Sequence, residues 1–331
     1  MDVCTVVIVG SGRAALLHLN AYLMLENQPS TIYVVAGSFV EPGILAVADA
    51  HPSVVGLVDK YLIAQVAPDK AVVDICTPAA THGEVLRAMV EAGFSRFLVE
   101  KPAATTHEEL EWISSSDLRL EVMENYLFSE ATQRVLDLIN RQEFTPRTLV
   151  SFFSKDRVKD STNLRGFSAG HPPHVFTVEL PHQLYLAQAF AGPARIESTF
   201  TQDMDVLGDI FPNHGTGVIT LSHSSSLSES RKSFHYSCLS SQETVRCFLL
   251  QGTDDTTITI HYPTSAPTSS TIASLVSITD KNGHHTEVFP NDNMMKRAIG
   301  HYYKVLSSDQ PTPPPNKFAA TQLMVDALVP G

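Results

Sequence analysis

Two glycines and an alanine near the N-terminus have the spacing of a phosphate-binding turn. Gly10, Gly12 and Ala15 form a G-x-G-x-x-A pattern between a β-branched run at residues 5–9 and a segment of helical composition at residues 14–25. The first glycine permits a tight turn, the second lets the backbone approach phosphates, and the helix N-terminus offers free N–H groups. The pattern predicts a dinucleotide site rather than a purely structural turn. Its predicted contacts are Gly10, Ser11, Gly12, Arg13 and Ala14.

The end of the second strand should decide between NAD and NADP. An acidic residue there favours NAD, because it binds the ribose hydroxyls, and a nearby arginine favours NADP. The sequence offers Ala36-Gly37-Ser38-Phe39, which carries neither signal. Ser38 can hydrogen-bond either a 2′-hydroxyl or a 2′-phosphate, and Glu41 could reach back from a few residues on. We predict NAD or NADP as cofactor, and the lack of a nearby cation favours NAD.

The elements around this turn alternate between strand and helix. Apolar strand-like runs at 31–36, 71–76, 97–99 and 118–123 are separated by helical segments at 82–92 and 106–114, and a further helix follows at 129–140. Alternating strands and helices predict right-handed βαβ units and a doubly wound parallel sheet. The predicted fold class of this half is α/β.

The pattern changes after about residue 145. One helix is predicted at 176–191, and two more follow at 294–306 and 317–327. Short strand-like runs separated by turn residues favour an open, mostly antiparallel sheet, so the C-terminal half is predicted as an α+β domain. The predicted strands are 148–154, 195–201, 216–222, 233–239, 244–250, 256–262 and 272–279.

Composition limits the class of protein. The 331 residues include 23 Lys plus Arg and 35 Asp plus Glu, so the formal net charge of −12 argues against a nucleic-acid or anionic-membrane binder. The 43% hydrophobic content excludes a disordered chain. Four cysteines without a CxxC pair indicate reduced thiols. With no signal peptide and no apolar run near the roughly 20 residues that span a bilayer, we expect a cytoplasmic protein.

Three further segments make the pattern more specific. Residues 74–78 read DICTP and are followed by His82, residues 100–102 read EKP, and residues 124–126 read ENY. Their order and spacing after a glycine turn resemble the glucose–fructose oxidoreductase / inositol dehydrogenase / rhizopine-catabolism (Gfo/Idh/MocA) family. The N-terminal half matches by motif, and the C-terminal half by the order of elements and one histidine.

The resemblance implies a domain plan and an activity. The expected parts are a Rossmann domain at 1–125, a substrate-binding and oligomerisation domain at 126–315, and a C-terminal helix at 316–331 that returns to the Rossmann domain. The expected enzyme is an NAD(P)-dependent oxidoreductase that moves hydride between the nicotinamide and a hydroxyl or ketone carbon of a sugar, amino sugar or cyclitol-like polyol. The Ser/Thr-rich second domain hints at secondary metabolism. A homodimer or homotetramer joined through the open sheet face is also implied.

The resemblance also assigns residues to roles in the first half. Lys101 matches the lysine that touches the reacting oxygen, where a cation stabilises negative charge, and it therefore counts as both a catalytic and a substrate residue. Glu100 and Pro102 would set its backbone. The remaining positions expected along the cofactor are Thr77, Pro78, His82, Glu100, Lys101 and Asn125.

In the second half, His182 matches the family's general acid/base, since an imidazole titrates near neutral pH. The family has Asp four residues earlier, but here Val178 stands there, and Glu179 is only three residues before His182. Glu179 could orient His182, contact substrate, or do neither. Tyr126 and His174 are further predicted substrate contacts, and we predict no metal because the histidines lack tight ligand spacing.

Two rival functions stay open at this point. The missing Asp leaves room for an NAD(P)H-dependent imine reductase. A non-catalytic dinucleotide-binding redox sensor is a more distant alternative, which the presence of both Lys101 and His182 opposes.

Overall fold

The computed structural model divides the chain into two compact units after Asn125. One unit comprises residues 1–125 with 295–321, and the other comprises residues 126–294 with 322–331. The sequence places the return to the first unit at residue 316, and the structure has it at residue 295. The described residues are 5–37, 39–59, 63, 65–156, 174–206, 209–224, 231–241, 243–264, 273–308 and 318–328.

The first unit is built on a six-stranded parallel sheet with the order β3-β2-β1-β4-β5-β6. The β-branched, nearly continuous apolar runs suit strands that are buried on both faces, and every residue of β4 is buried. The predicted doubly wound parallel sheet is confirmed. Its strands are β1 (Thr5–Val9), β2 (Thr31–Val35), β3 (Val55–Val58), β4 (Ala71–Ile75), β5 (Arg96–Glu100) and β6 (Arg119–Met123).

Five helices accompany this sheet within the described residues. The last of them packs on the unit through an Arg119 Nη2 bond to the Val305 carbonyl at 3.0 Å and an edge contact between Tyr22 and Tyr303. The helices are α1 (Arg13–Leu23), α2 (Pro42–Ala50), α3 (His82–Glu91), α4 (His107–Ser115) and, from near the C-terminus, α8 (Met294–Ser307).

The sequence reading missed α2 and β3. Only Ile44 of α2 is buried, so the helix has no apolar stripe to announce it. Its signal is instead Pro42 in the first turn, where the missing N–H costs nothing. The β3 strand has only four residues, one of them Gly56, which weakens its strand character.

The second unit contains an eight-stranded sheet with the order β14-β13-β12-β11-β7-β10-β9-β8. All neighbouring strands are antiparallel except β7 and β10. The predicted mostly antiparallel sheet is confirmed, while β14 was missed because six of its eight residues are exposed and carry no core pattern. The strands are β7 (Pro146–Ser154), β8 (Ala194–Val206), β9 (Asp209–His223), β10 (Arg231–Cys238), β11 (Arg246–Gly252), β12 (Thr257–His261), β13 (Ala273–Asp280) and β14 (Gly283–Pro290).

The helix predicted at 176–191 is wrong as a single element. Two helices stand there, and Glu179 separates them. Pro181 explains the break, because a proline ring is compatible with the first turn of a helix but not with its interior. The helices of this region and of the rest of the second unit are α5 (Glu130–Asn140), α6 (Val175–Val178), α7 (Leu180–Ala191) and α9 (Ala319–Leu328), the last of which spans the division at residues 321 and 322.

The two faces of the large sheet differ. The α7 helix packs on β7 and β10, and α5 contacts β13. Apolar side chains also stand on the opposite face, where Val150, Phe152, Phe234 and Leu249 are 36–40% exposed. Among the helices that the structure describes, none is long and apolar enough to cross a membrane.

Candidate active site

The glycine turn has the form that a pyrophosphate requires. Gly10 adopts a φ of +120°, and a Cβ there would lie 2.9 Å from the backbone carbon and oxygen of Cys76. A Cβ on Gly12 would meet no atom within 4 Å, so the space beside it is open. Gly12 is the N-cap residue of α1, which begins at Arg13, and the first turn of the helix receives no side-chain hydrogen bond from it. The turn therefore combines close backbone packing at Gly10 with an accessible helix N-terminus at Gly12.

Ser11 ties this turn to the loop after β2. Its hydroxyl donates to the Phe39 carbonyl and accepts the Gly37 N–H at 3.2 Å, while its carbonyl accepts the Glu41 N–H at 2.8 Å. This loop is where a dinucleotide ribose is read. Ser11 thus fixes the ribose-reading loop, and its predicted contact to the cofactor stays a prediction. Ser38, the other predicted contact there, lies outside the described residues.

His82 connects the segments that follow β4 and β5. Its Nδ1 lies 2.8 Å from the Pro102 carbonyl and its Nε2 lies 2.9 Å from the Thr77 carbonyl. Burial lowers the pKa of His82, and the two carbonyl oxygens oppose that shift only in part. The buried Thr77 hydroxyl has no hydrogen-bond partner in the described part of the chain. An unsatisfied donor at the end of β4, beside an open glycine cradle, fits a bound dinucleotide.

Lys101 stands directly after β5, and its peptide bond to Pro102 is cis. Its backbone N–H donates to Oε2 of Glu100 at 3.1 Å. The family resemblance implied that Glu100 sets the backbone of Lys101, and this bond is a direct means of doing so. Lys101 itself is half-buried.

The other carboxylate oxygen of Glu100 contacts His18, a residue that the sequence patterns did not predict as part of the site. His18 on α1 lies with Nε2 3.0 Å from Glu100 Oε1 and with Nδ1 2.9 Å from Asp74 Oδ2. Cys76 Sγ is 3.3 Å from the same Nδ1. His18 and Asp74 have no exposed surface. No sequence motif marks His18. The one indication is that a polar residue stands on the otherwise mostly apolar buried face of α1.

In the second unit, His182 and Tyr126 meet through Tyr185. His182 Nδ1 is 2.9 Å from the Tyr185 hydroxyl, and that hydroxyl accepts the Tyr126 N–H at 3.1 Å. The rings of Tyr126 and His182 also pack edge to face at 4.8 Å. When Tyr185 donates to Nδ1, the proton of the neutral His182 ring lies on Nε2. Tyr185, one turn after His182, escaped the sequence reading.

Glu179 pairs with a cation from the sheet. Nη2 of Arg246, the first residue of β11, lies 3.5 Å from Glu179 Oε1, and Nη1 donates to the Tyr126 hydroxyl at 2.5 Å. The Glu179 side chain is 4% exposed and the Arg246 side chain 20%, so the pair is largely desolvated. Burial raises the pKa of Tyr126 to about 12 although Arg246 opposes the shift. No sequence motif marks Arg246, because only strand pairing brings it here.

His174 and Asn125 complete the predicted set. His174 caps α6, since its Nδ1 accepts the Phe176 N–H at 3.1 Å, and burial and the neighbouring His214 lower its pKa to about 4. Asn125 opens a short 3₁₀ turn. Their contacts to substrate and cofactor stay predictions.

Comparison with known proteins agrees with this geometry. Residues 4–116 match the GFO_IDH_MocA model, described as an oxidoreductase family with an NAD-binding Rossmann fold. No curated protein matches the chain by sequence. Among solved structures, a 3-ketoreductase from Actinomadura kijaniata in complex with NADP and TDP-benzene is 16% identical, with 98% of this chain and 96% of that chain covered and a TM-score of 0.77. A UDP-N-acetylglucosamine 3-dehydrogenase from Acidithiobacillus ferrooxidans is 14% identical, with 98% and 95% covered and a TM-score of 0.70.

These likenesses extend the fold match over both units, beyond the segment that the family model covers. The resemblance drawn from the EKP and glycine motifs is therefore confirmed. Residues 4–116, which carry the glycine turn and the Glu100-Lys101-Pro102 segment, match the model of this oxidoreductase family, and both units are similar in fold to the two solved structures.

Proposed function

We propose that this chain is an NAD(P)-dependent oxidoreductase that interconverts a secondary hydroxyl and a ketone on a sugar. The observation that carries the proposal is the pairing, in one unit, of an open glycine cradle with a lysine whose backbone is held by the preceding glutamate. When bound, the nicotinamide would supply or accept the hydride. The rest of the chemistry falls to the side chains of this chain.

Lys101 would stabilise the charge that develops on the reacting oxygen. During reduction, the carbonyl oxygen gains negative charge as hydride reaches its carbon, and a positioned cation lowers the energy of that state. Thr77 and His82 would shape the nicotinamide side, because His82 links the carbonyls of Thr77 and Pro102.

His182 would move the proton. In reduction, the ring donates from Nε2 to the new alkoxide, and in oxidation it takes the hydroxyl proton. The contact from Tyr185 to Nδ1 favours the tautomer with the proton on Nε2. Arg246 would hold Glu179 and Tyr126 in place beside this histidine, and all three are candidates to contact polar groups of the substrate.

We propose a nucleotide-activated sugar as the substrate class, with amino sugars included. Support comes from the two solved structures, one a ketoreductase that holds TDP-benzene and the other a dehydrogenase of UDP-N-acetylglucosamine. Free sugars and cyclitols remain in the test set, and a role in secondary metabolism fits the ketoreductase likeness. For the cofactor, the sequence around residue 38 favours NAD, whereas the ketoreductase holds NADP, so both belong in the assay.

Imine reduction is the competing chemistry, and Val178 in place of the family Asp is the observation that favours it. The two reactions separate by product, because a ketone yields an alcohol and an imine yields an amine. A redox sensor would bind reduced cofactor and turn over neither.

The first experiment is a fluorescence titration with NADH and NADPH on wild type, Lys101→Ala and His182→Ala, followed by turnover at 340 nm. We expect all three proteins to bind one reduced cofactor, and each variant to lose about 10²–10⁴-fold in kcat. Lys281→Ala, at an exposed turn, is the control and should match wild type. Absence of cofactor binding by wild type would overturn the proposal, as would full activity in Lys101→Ala.

A further inference from the structure

A fully buried imidazole lies in contact with Glu100 and has no role in the chemistry described so far. His18 on α1 has no exposed surface, and its two ring nitrogens point to two different carboxylates. Nδ1 is 2.9 and 3.1 Å from the oxygens of Asp74, and Nε2 is 3.0 Å from Glu100 Oε1. An ionised carboxylate only accepts hydrogen bonds, so both ring nitrogens must donate. The arrangement requires an imidazolium.

The charges around His18 agree with this state. Burial is the largest single effect and by itself would lower the pKa of His18, but the contacts with Asp74 and Cys76 together raise it well above 6.5. Burial also raises the pKa of the Cys76 thiol, which stays neutral. The groups that face the ring are Asp74 from β4, Cys76 directly after β4, and Glu100 from β5. Tyr22, on the same helix as His18, lies next to Asp74.

Glu100 passes the effect on to the lysine. Its Oε1 accepts a hydrogen bond from His18 Nε2 at 3.0 Å, while its Oε2 accepts the backbone N–H of Lys101 at 3.1 Å. A hydrogen-bonded chain therefore runs from Asp74 through His18 and Glu100 to the backbone of Lys101. Without the donor at His18 Nε2, the Glu100 carboxylate would lose a hydrogen bond in a largely buried position and would turn towards water, which would loosen its hold on the Lys101 backbone.

We infer that His18 is a positioning residue: as an imidazolium anchored by Asp74, it fixes the carboxylate of Glu100 and through it the backbone of Lys101. The inference rests on the proposed function, in which Lys101 meets the reacting oxygen. A displacement of about 1 Å in a catalytic group can cost about 10²-fold in rate, so breaking this hydrogen-bonded chain should lower kcat measurably.

The donor atoms of His18, Asp74 and Cys76 also lie within 4.8 Å of one another, a spacing that a metal ion could bridge. Metal binding there would need an unprotonated Nδ1 and a thiolate. The double donation from His18 and the neutral Cys76 thiol both oppose it.

Two amide substitutions test the two ring nitrogens of His18 separately. The side-chain amide of His18→Gln reaches the place of Nε2 and can still donate to Glu100, whereas that of His18→Asn takes the place of Nδ1 and can reach only Asp74. We expect His18→Asn to lose about 10- to 100-fold in kcat, with cofactor affinity changed less than about threefold, and His18→Gln to recover most of this loss. Leu19→Ala is the matched control, because Leu19 is the next residue on α1, is equally buried, and has an apolar side chain that cannot join the hydrogen-bonded chain.

A second readout needs no substrate. In ¹⁵N NMR, both ring nitrogens of His18 should keep imidazolium shifts from pH 6 to 8. The Lys101 amide resonance should move in His18→Asn but stay near its wild-type position in His18→Gln and Leu19→Ala. If wild type turns over no sugar while these shifts behave as expected, the proposed function fails and the hold on the Lys101 backbone stands.

Three results would overturn the inference itself. The first is a neutral His18 ring at pH 7, and the second is a Lys101 amide resonance that does not move in His18→Asn. The third is an equal loss of kcat in His18→Asn, His18→Gln and Leu19→Ala once each is compared at a temperature where it is fully folded. Zn²⁺ binding at His18 by the apoprotein would likewise contradict a ring that donates from both nitrogens.

Discussion

Gly10 and Gly12 belong to one turn but have different reasons to be glycine. Gly10 has no room for a side chain, because its Cβ would lie 2.9 Å from the backbone of Cys76, and its φ of +120° disfavours any other residue. Gly12 has room, since nothing lies within 4 Å of its Cβ position. The first glycine is therefore needed by the fold, and we propose that the second is needed by the ligand.

Alanine substitutions should separate these two requirements. We expect Gly10→Ala to lower the melting temperature by several degrees, since backbone strain and a backbone clash together cost about 1–3 kcal/mol. Gly12→Ala should melt with wild type but bind reduced cofactor at least about tenfold more weakly, because its methyl group occupies the phosphate approach. Differential scanning fluorimetry and cofactor titration measure the two effects. Normal cofactor affinity in Gly12→Ala would show that the turn is only structural.

Glu179, three residues before His182, forms an ion pair with Arg246. Their side chains are 4% and 20% exposed, so removing one partner leaves the other poorly solvated. We expect Arg246→Met to cost about 1–3 kcal/mol of unfolding free energy, less than a fully buried pair because Arg246 reaches some solvent. The double variant with Glu179→Gln should recover at least about 1 kcal/mol. Urea unfolding of the four proteins gives the coupling energy, and additive losses would mean that the pair contributes nothing.

At the scale of elements, one buried hydrogen-bond chain clamps α7 to the sheet. It starts at Gln183 in the first half of the helix, crosses β7, β10 and β9, and ends at the residue that caps the helix C-terminus. Neighbouring donor and acceptor atoms are 2.6–2.8 Å apart. The members in order are Gln183, Ser151, His235, Ser233, His223 and the carbonyl of Gly192.

The two ends of this chain fix every proton within it. The Gly192 carbonyl only accepts, so His223 Nδ1 carries a proton and Nε2 accepts from Ser233. Ser233 then accepts from His235 Nε2, and His235 Nδ1 accepts from the hydroxyl of Ser151, which itself accepts from Gln183. This assignment takes both histidine rings as neutral. Burial lowers the pKa of His235 to about 3 and that of His223 in the same direction.

This chain should make stability fall in acid. His235 titrates near 6.5 when unfolded and near 3 when folded, so the unfolded state binds one more proton between those values. The contribution of His235 to the free energy of unfolding is full above pH 6.5. It is lost as the pH falls towards 3, at about 1.4 kcal/mol per pH unit. We expect His235→Gln to be less stable at pH 7 but to have a shallower decline between pH 6.5 and 5. Urea unfolding across this range tests it, with the exposed His261→Gln as control, and an unchanged slope in His235→Gln would contradict it.

The sequence was sufficient for elements with strong local signals and insufficient for contacts made through topology. β1 is a continuous β-branched run and β4 a mostly apolar one, and α4 begins with a capping box in which the Thr106 hydroxyl accepts the Glu109 N–H. In contrast, Arg246 and His18 acquire their partners only when distant strands and helices pack together. Patterns along the chain report burial and periodicity, whereas these contacts depend on which strands become neighbours.

At the scale of the whole molecule, the uncovered face of the large sheet concerns assembly. Val150, Phe152, Phe234 and Leu249 lie on three adjacent strands, and Phe152 stacks on Tyr236 with ring centroids 4.6 Å apart. A contiguous apolar surface of this kind is typical of an interface. The homodimer or homotetramer implied by the family resemblance stays a prediction, and this face is where we place its contact.

A single charge should test that placement. We expect wild type to sediment as an oligomer and Phe234→Glu to shift towards monomer, because a carboxylate desolvated at the centre of the contact has no partner. Leu45→Glu, an exposed apolar position on α2 in the first unit, is the matched control and should leave assembly unchanged. Sedimentation velocity distinguishes the outcomes, and an unaltered oligomer in Phe234→Glu would place the interface elsewhere.

The most direct test of the central claim follows the hydride itself. Wild-type protein is incubated with NADH or NADPH deuterated at C4 of the nicotinamide and with a panel of ketone-bearing sugar nucleotides, and the products are examined by mass spectrometry and NMR. We predict one deuterium on the carbinol carbon of a new secondary alcohol, with at least about a hundredfold less product from Lys101→Ala. Deuterium on a carbon that bears nitrogen would assign the reaction to imines, and a bound cofactor that never transfers its label would contradict an oxidoreductase.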